Sequence, residues 1–262
     1  MKKSAVNKKI RGIASRSLLV VAALLALPVY AMPADQLDNQ HLSKYKLTYY
    51  TKSQNQKAGN TRFTVGEREF YVPDETVPPS VQSMYLLSHW KIREGEEVLD
   101  IGTGSGVQAV FAAEKAKRVV ATDISLSAVK TATLNVQHNG FRDKIEVRQG
   151  NLFAPVKEGE RFDVILFNID YPYKPGTENL WKVHQRFFAA VGKYLKPGGR
   201  VYYQIGLVEN IPKVQEMARN NQMRIVSIRM DAAVKLERDP IVFVLFREQD
   251  LLKGASAPDI DY

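Results

Sequence analysis

The chain has no cysteine, four histidines, two tryptophans and not one acidic residue in its first 31 positions. Without cysteine it can form no disulfide, no thiolate nucleophile and no thiolate zinc site; either redox compartment suits such a chain. His41, His89, His138 and His184 show no metal-ligand spacing, so no metal site is expected. Long apolar runs are also missing. The longest, Leu18 to Met32, falls short of the roughly 20 residues that a membrane-spanning helix needs.

The acid-free N-terminus holds Lys2, Lys3, Lys8, Lys9, Arg11 and Arg16, and then the apolar stretch Leu18 to Leu27, the helix breaker Pro28 and the small-residue pattern of Val29-Tyr30-Ala31. These are the three regions of a secretory signal peptide, and they predict export through the secretion machinery with a mature start at Met32. No paired arginines precede the apolar stretch, so the twin-arginine route has no support. The export reading implies a periplasmic or secreted protein, with a membrane-anchored or cytoplasmic one as the alternative. Of the formal charge of +9, six positive charges belong to this segment, leaving 31 basic against 28 acidic residues in the rest, a net +3. The remainder therefore carries no strong nucleic-acid signature.

At 262 residues, 45% hydrophobic and 25% charged, the chain suits one large α/β catalytic domain. Residues 32–79 read as an accessory segment, with strand-like pieces Arg62 to Val65 and Glu69 to Val72 around Gly66. In the same segment Tyr45, Tyr49 and Tyr50 lie among Lys44, Lys46 and Lys52, a pattern that suits a half-buried strand with solvated lysines, with a nucleic-acid or substrate surface as the alternative. Pro78-Pro79 opens a helix from about Ser80 to Trp90. Strands then alternate with helices: Glu97 to Ile101, Arg118 to Thr122, Ile145 to Arg148, Asp163 to Asn168 and Val201 to Ile205. The intervening helices include Val107 to Ala116, one through Ala128, Ala132 and Val136 closed by Gly140, and one with a face of Leu180, His184, Phe187, Phe188, Val191 and Leu195. Such alternation predicts a parallel sheet. Ile225 to Met230 and Ile241 to Phe246 follow without a helix between them, which predicts an antiparallel terminal hairpin. Residues 248–262 show little periodicity and read as a surface tail.

The most informative stretch is Val98-Leu99-Asp100-Ile101-Gly102-Thr103-Gly104-Ser105-Gly106, a strand entering a glycine loop ahead of a helix. Alternate glycines let the backbone turn sharply beside a ligand, and the helix behind presents free N–H groups. A dinucleotide fingerprint would place glycine or alanine where Val107 stands. Asp100 would oppose a pyrophosphate, whereas it could orient the ammonium end of S-adenosylmethionine. Asp123, 21 positions past Gly102 at the end of the next strand, could accept both ribose hydroxyls of either cofactor.

Together with Val119 to Ser125, Gly150-Asn151-Leu152-Phe153, Phe162 to Asn168 and Leu195 to Val201, these residues resemble the class I S-adenosylmethionine-dependent methyltransferases over residues 80–247. The resemblance implies an α/β fold: a Rossmann-like, mostly parallel seven-stranded sheet with an antiparallel C-terminal hairpin and helices on both faces. It also implies S-adenosylmethionine as cofactor, held by Asp100, Gly102, Thr103, Gly104, Gly106, Asp123, Ile124 and Asn151. After the fourth strand, Asn168-Ile169-Asp170-Tyr171 resembles the Asn-Pro-Pro-Tyr signature of methyltransferases acting on amide or amino nitrogens. Ile169 and Asp170 replace its two prolines. Asn168, Asp170 and Tyr171 are accordingly the expected catalytic residues, with Asp170 able to take a proton or hold a cationic substrate. The acceptor itself, whether protein, nucleic acid or small molecule, is not specified. Two other classes compete. A non-catalytic exported nucleoside-binding module would explain the altered turn, and an NAD-dependent oxidoreductase is opposed by Asp100, Val107 and the terminal hairpin. Export also sits uneasily with a cofactor made in the cytosol.

Overall fold

The computed structural model describes residues 47–50, 60–73, 76, 78–230 and 240–252. The signal segment expected at 1–31, most of the accessory segment and the end of the tail lie outside them.

A small antiparallel sheet comes first, built of β1 (Leu47–Tyr50), β2 (Asn60–Val65) and β3 (Arg68–Pro73) in that order. Strands β2 and β3 form a hairpin whose Val65–Arg68 closing pair brackets Gly66, at φ +57°. This conformation is inexpensive only for glycine.

Helix α1 (Val81–His89) follows, capped by Ser80, which accepts from the Ser83 N–H in a reciprocal capping box. The main sheet then contains β4 (Glu97–Ile101), β5 (Arg118–Asp123), β6 (Ile145–Gln149), β7 (Phe162–Phe167), β8 (Leu195–Gly206), β9 (Met223–Met230) and β10 (Pro240–Arg247), in the order β6-β5-β4-β7-β8-β10-β9. The connecting helices are α2 (Val107–Ala112), α3 (Leu126–His138), α4 (Trp181–Val191) and α5 (Ile211–Asn220), with α6 (Glu248–Leu252) after the last strand. Strand β10 is antiparallel to both β8 and β9, so it alone opposes the other six.

The inner strands are largely apolar on both faces because helices cover both faces. Val98, Val164, Leu166 and Val244 join one core with Leu86 and Val110 of α1 and α2; Leu99, Ile165, Phe167 and Phe243 join the other with Phe187 of α4 and Val214 of α5. The period-2 alternation of a strand sends neighbouring residues to opposite cores. An ion pair ties the residue before β4 to β8: Arg200, 4% exposed, holds both oxygens of the partly buried Glu96 at 2.8 and 2.9 Å.

Three local expectations are corrected. The helix starting at Val107 ends at Ala112, after which residues 113–115 turn toward β5. Helix α4 stops at Val191, and Leu195 already belongs to β8, because Lys196-Pro197-Gly198-Gly199 is absorbed into an extended strand. The tail begins as helix α6, whose Asp250 is buried and accepts from the Gly198 N–H at 3.1 Å and from Arg247 Nε at 2.8 Å. Five residues carry too little periodicity to reveal a helix held by such capping and ion-pair contacts.

Candidate active site

Chain order places the site. From β4 the sheet grows outward through β5 and β6, then returns to the other side of β4 for β7 and β8. At this reversal the helices that follow β4 and β7 go to opposite faces of the sheet and leave a crevice beyond the carboxyl ends of the strands. The crevice here is a cleft of ≈ 940 Å³.

Its floor is the glycine loop. Gly102, Gly104 and Gly106 have φ of +76°, +55° and +83°. A Cβ on Gly102 would stand 2.6 Å from Ile169 Cγ1, so this glycine lets the loop after β4 touch the loop after β7. A Cβ on Gly106 would meet the Ala132 backbone of α3 at 3.2 Å, which makes it a packing residue; it does not line the cleft. The N–H groups of Gly102 and Thr103 both donate to the Thr122 carbonyl, at 2.8 and 3.0 Å.

Asp123 lines the cleft at the end of β5 and organises the loop as well. One carboxylate oxygen accepts from the Gly104 N–H at 3.0 Å and the other from the Ser125 N–H at 2.9 Å. Each oxygen keeps a further lone pair for a ligand hydroxyl. Beside it stands Ile124, an apolar side chain 65% exposed on the cleft wall, and Asn151 in the loop after β6 lines the cleft as well.

Asp100 stands beneath the loop. It is 2% exposed, does not line the cleft, and accepts from Thr103 Oγ1 at 2.6 Å. Burial pushes its carboxyl up to about 7; the Thr103 hydrogen bond opposes this, and the nearby Asp123 charge adds to it. Asp100 thus anchors the loop from beneath, and any effect on a cofactor cation passes through Thr103 or through space.

The loop after β7 forms the facing wall. Asn168 is half-buried with Nδ2 3.4 Å from Ser83 Oγ; Asp170 is exposed at the rim. Tyr171 is buried, and its hydroxyl accepts from Gln82 Nε2 at 2.9 Å. The cleft therefore gathers Gly102, Thr103, Gly104, Asp123, Ile124, Asn151, Asn168, Asp170 and Tyr171, and leaves Asp100 and Gly106 behind its wall.

Several cleft residues escaped sequence reasoning. Gln82 and Ser83 come from α1, whose approach to β7 is a tertiary event. Gln108 and Thr122 line the cleft while buried, and Gln108 Nε2 and Thr122 Oγ1 have no hydrogen-bond partner within the protein. Buried polar atoms without partners are costly, and at a cleft wall they suit a polar ligand or bound water. The available signal was Gln108 itself, the one polar residue in the apolar helix Val107–Ala112. The small sheet is tied in by Asn135 of α3, which bonds the N–H and carbonyl of Tyr71 and the Ser105 carbonyl of the glycine loop, each at 2.8 Å. Among the described residues no group of three or more histidines or acidic residues could hold a metal ion.

These features suit S-adenosylmethionine: a carboxylate with free lone pairs for ribose, an exposed apolar wall for a base and unpartnered buried polar groups. The chain is similar to a release factor glutamine methyltransferase from Clostridium acetobutylicum, 28% identical over 170 residues, covering 56% of this chain and 59% of that protein. It is 34% identical over 131 residues to a ribosomal protein L11 methyltransferase from Listeria innocua, covering 50% of this chain and 38% of the relative. This chain thus spans less than two thirds of the length of either relative. The crystal structure of a ribosomal protein L11 methylase from Lactobacillus delbrueckii subsp. bulgaricus shares the fold, with a TM-score of 0.55 at 23% identity over 66% of this chain and 81% of that one. The methyltransferase small domain family matches residues 81–227. With its reversed β10, its glycine loop and that match, the chain belongs to this family of class I S-adenosylmethionine-dependent methyltransferases.

Proposed function

We propose that this chain transfers a methyl group from S-adenosylmethionine to an amide or amino nitrogen, in a protein substrate. The observation that carries this reading is the contact between the two loops: Gly102 of the glycine loop abuts Ile169, the residue next to Asn168. A cofactor on the first loop and a nitrogen acceptor at Asn168 are thereby neighbours. Both curated relatives are named for protein substrates, one of them for a glutamine side chain, and this supports the acceptor class.

Gly102, Thr103 and Gly104 would cradle the cofactor, Asp123 would accept its ribose hydroxyls, and Ile124 and Asn151 would flank its base. When bound, the cofactor supplies an electrophilic sulfonium methyl and departs as a neutral thioether. The protein's task is alignment and proton handling. Ser83 Oγ draws the Asn168 amide nitrogen toward α1, leaving Oδ1 as acceptor for a substrate N–H. Asp170, an exposed carboxylate lining the cleft, would take the proton from an amine or attract a cationic acceptor. The deciding experiment is titration with S-adenosylmethionine combined with radiolabelled methyl transfer into protein from cell extract. Asn168→Ala should lower transfer far more than cofactor affinity, since its contact is made with the acceptor. Wild-type transfer by that variant would remove Asn168 from the mechanism. The family gives no support to the oxidoreductase and non-catalytic readings.

We also propose export, resting on the basic, apolar and small-residue regions of residues 1–31. Fractionation of source cells with mass spectrometry of the N-terminus tests it. An extracytoplasmic chain starting at Met32 is the expected result, and a cytosolic chain that retains residues 1–31 would refute it.

A further inference from the structure

From Asn168 to Tyr171 the loop after β7 lacks both prolines of the signature it resembles, and the first proline, Pro172, comes only after Tyr171, so no ring-locked φ angle sets that stretch from within. A different restraint is present. His184 of α4, fully buried, places Nε2 3.1 Å from the Asp170 carbonyl oxygen and Nδ1 2.6 Å from the Tyr203 hydroxyl of β8. A carbonyl only accepts, so Nε2 carries the proton; Nδ1 is then a lone-pair acceptor, and the Tyr203 hydroxyl donates to it. The order Tyr203 O–H to His184 Nδ1, His184 Nε2–H to Asp170 C=O admits one tautomer and one direction.

The rings that surround the imidazole fix its plane. Phe167 and Trp181 meet it edge-on with centroids 5.4 Å away, and Tyr203 does so at 5.7 Å. Tyr203 is itself buried against Phe167, Phe188 and Phe243. Burial drives the imidazole pKa down to about 4, so the ring remains a neutral donor–acceptor near neutral pH. From the opposite side α1 holds the same loop through Gln82 to Tyr171 and Ser83 to Asn168.

We propose that His184 and Tyr203 are positioning residues for methyl transfer: a buried two-residue strut that clamps the Asp170 carbonyl and sets the path from Asn168 to Tyr171 in place of the missing prolines. The proposal rests on the reading of this loop as the acceptor site. It assigns His184 no contact with substrate or cofactor.

The test compares His184→Leu, which cannot donate to the carbonyl, with His184→Gln, whose Nε2 can, and with the gentler Tyr203→Phe. Three readouts are taken on the full chain: titration with S-adenosylmethionine, hydrogen exchange of the peptide containing residues 168–173, and radiolabelled methyl transfer into cell-extract protein. For His184→Leu the expected results are cofactor affinity within about threefold of wild type, local exchange at least about tenfold faster, and transfer down about 100-fold. His184→Gln should recover most of both losses, and Tyr203→Phe should fall between. If His184→Leu does not fold, the graded order of wild type, His184→Gln and Tyr203→Phe decides the matter. Unchanged exchange at 168–173 in Tyr203→Phe and His184→Leu would overturn the strut. So would a loss of protection spread equally over α4 and β8, which would mark these residues as core alone. Wild-type protein that binds cofactor but methylates nothing would count against the acceptor reading, while the exchange data would still judge the strut.

Discussion

Asp100→Asn should reveal a pH dependence that the wild-type protein conceals. In the folded chain the Asp100 carboxyl titrates near 7, against 3.8 for an unperturbed aspartate, because burial penalises its charge. Between those values the native state holds a proton that the unfolded chain has released, so stability is highest at low pH and falls as pH rises through about 7. The slope is about 1.4 kcal/mol per pH unit, and the whole window is worth about 4 kcal/mol. His184 acts in the opposite sense. Its folded value of about 4 lies below 6.5, so the unfolded chain binds the extra proton and stability rises with pH over that range, by about 3 kcal/mol. The two contributions nearly cancel over the same window. Urea unfolding of both proteins from about pH 4 to about pH 8 isolates the first. The stability of Asp100→Asn relative to wild type should improve by about 4 kcal/mol across the range. Any pH-independent loss of the Thr103 hydrogen bond drops out of that difference. Parallel pH profiles for the two proteins would refute the argument and place Asp100 in a solvated or charge-compensated environment.

Asp123→Ala removes the acceptor for two ribose hydroxyls, each worth about 1.5 kcal/mol or more to a charged group, and should weaken S-adenosylmethionine binding more than tenfold by calorimetry. Gly102→Ala forces a left-handed non-glycine residue, costing about 1–2 kcal/mol, and drives a methyl group against Ile169. Both cofactor affinity and transfer should fall, and adding Ile169→Ala should restore the part due to the clash alone; an additive double variant would deny contact between the loops. Arg200→Met strands the Glu96 carboxylate, and a loss of about 3 kcal/mol is expected in urea unfolding, in the range measured for one-sided removal of a buried pair. A loss below about 1 kcal/mol would show that solvent or Arg93 compensates Glu96.

Sequence alone was enough for most of the elements and for the glycine loop of the site. Apolar strands alternating with amphipathic helices fix an α/β sheet because period and burial are local properties, and the strands from Glu97 to Asn168 appear within a residue of where that periodicity puts them, while β8 begins at Leu195, before the expected Val201. The glycine loop and Asp123 were equally legible, since turn geometry and the strand-end carboxylate are set within one βαβ unit. The antiparallel character of the last two strands could be read from the missing helix between them. The insertion of β10 between β8 and β9 could not, because strand order depends on which edge offers unpaired hydrogen bonds and an apolar face. Helix α6 was invisible for a related reason: Asp250 is held there by Gly198 and Arg247, one of them 52 residues away.

The roles within the site also needed the tertiary structure. Asp100 and Gly106 belong to the same motif as Gly102 and Gly104, yet burial turns the first into an anchor beneath the loop and the second into a packing gap against Ala132. His184 reads in sequence as one more residue on the buried face of a helix. Only the convergence of α4, β7 and β8 brings its two ring nitrogens to a carbonyl 14 residues away and a hydroxyl 19 residues away. A motif carries residue types at fixed spacing, and spacing determines what the backbone can do locally. Which polar atom meets which, and which is denied water, is decided by packing between elements that no local pattern connects.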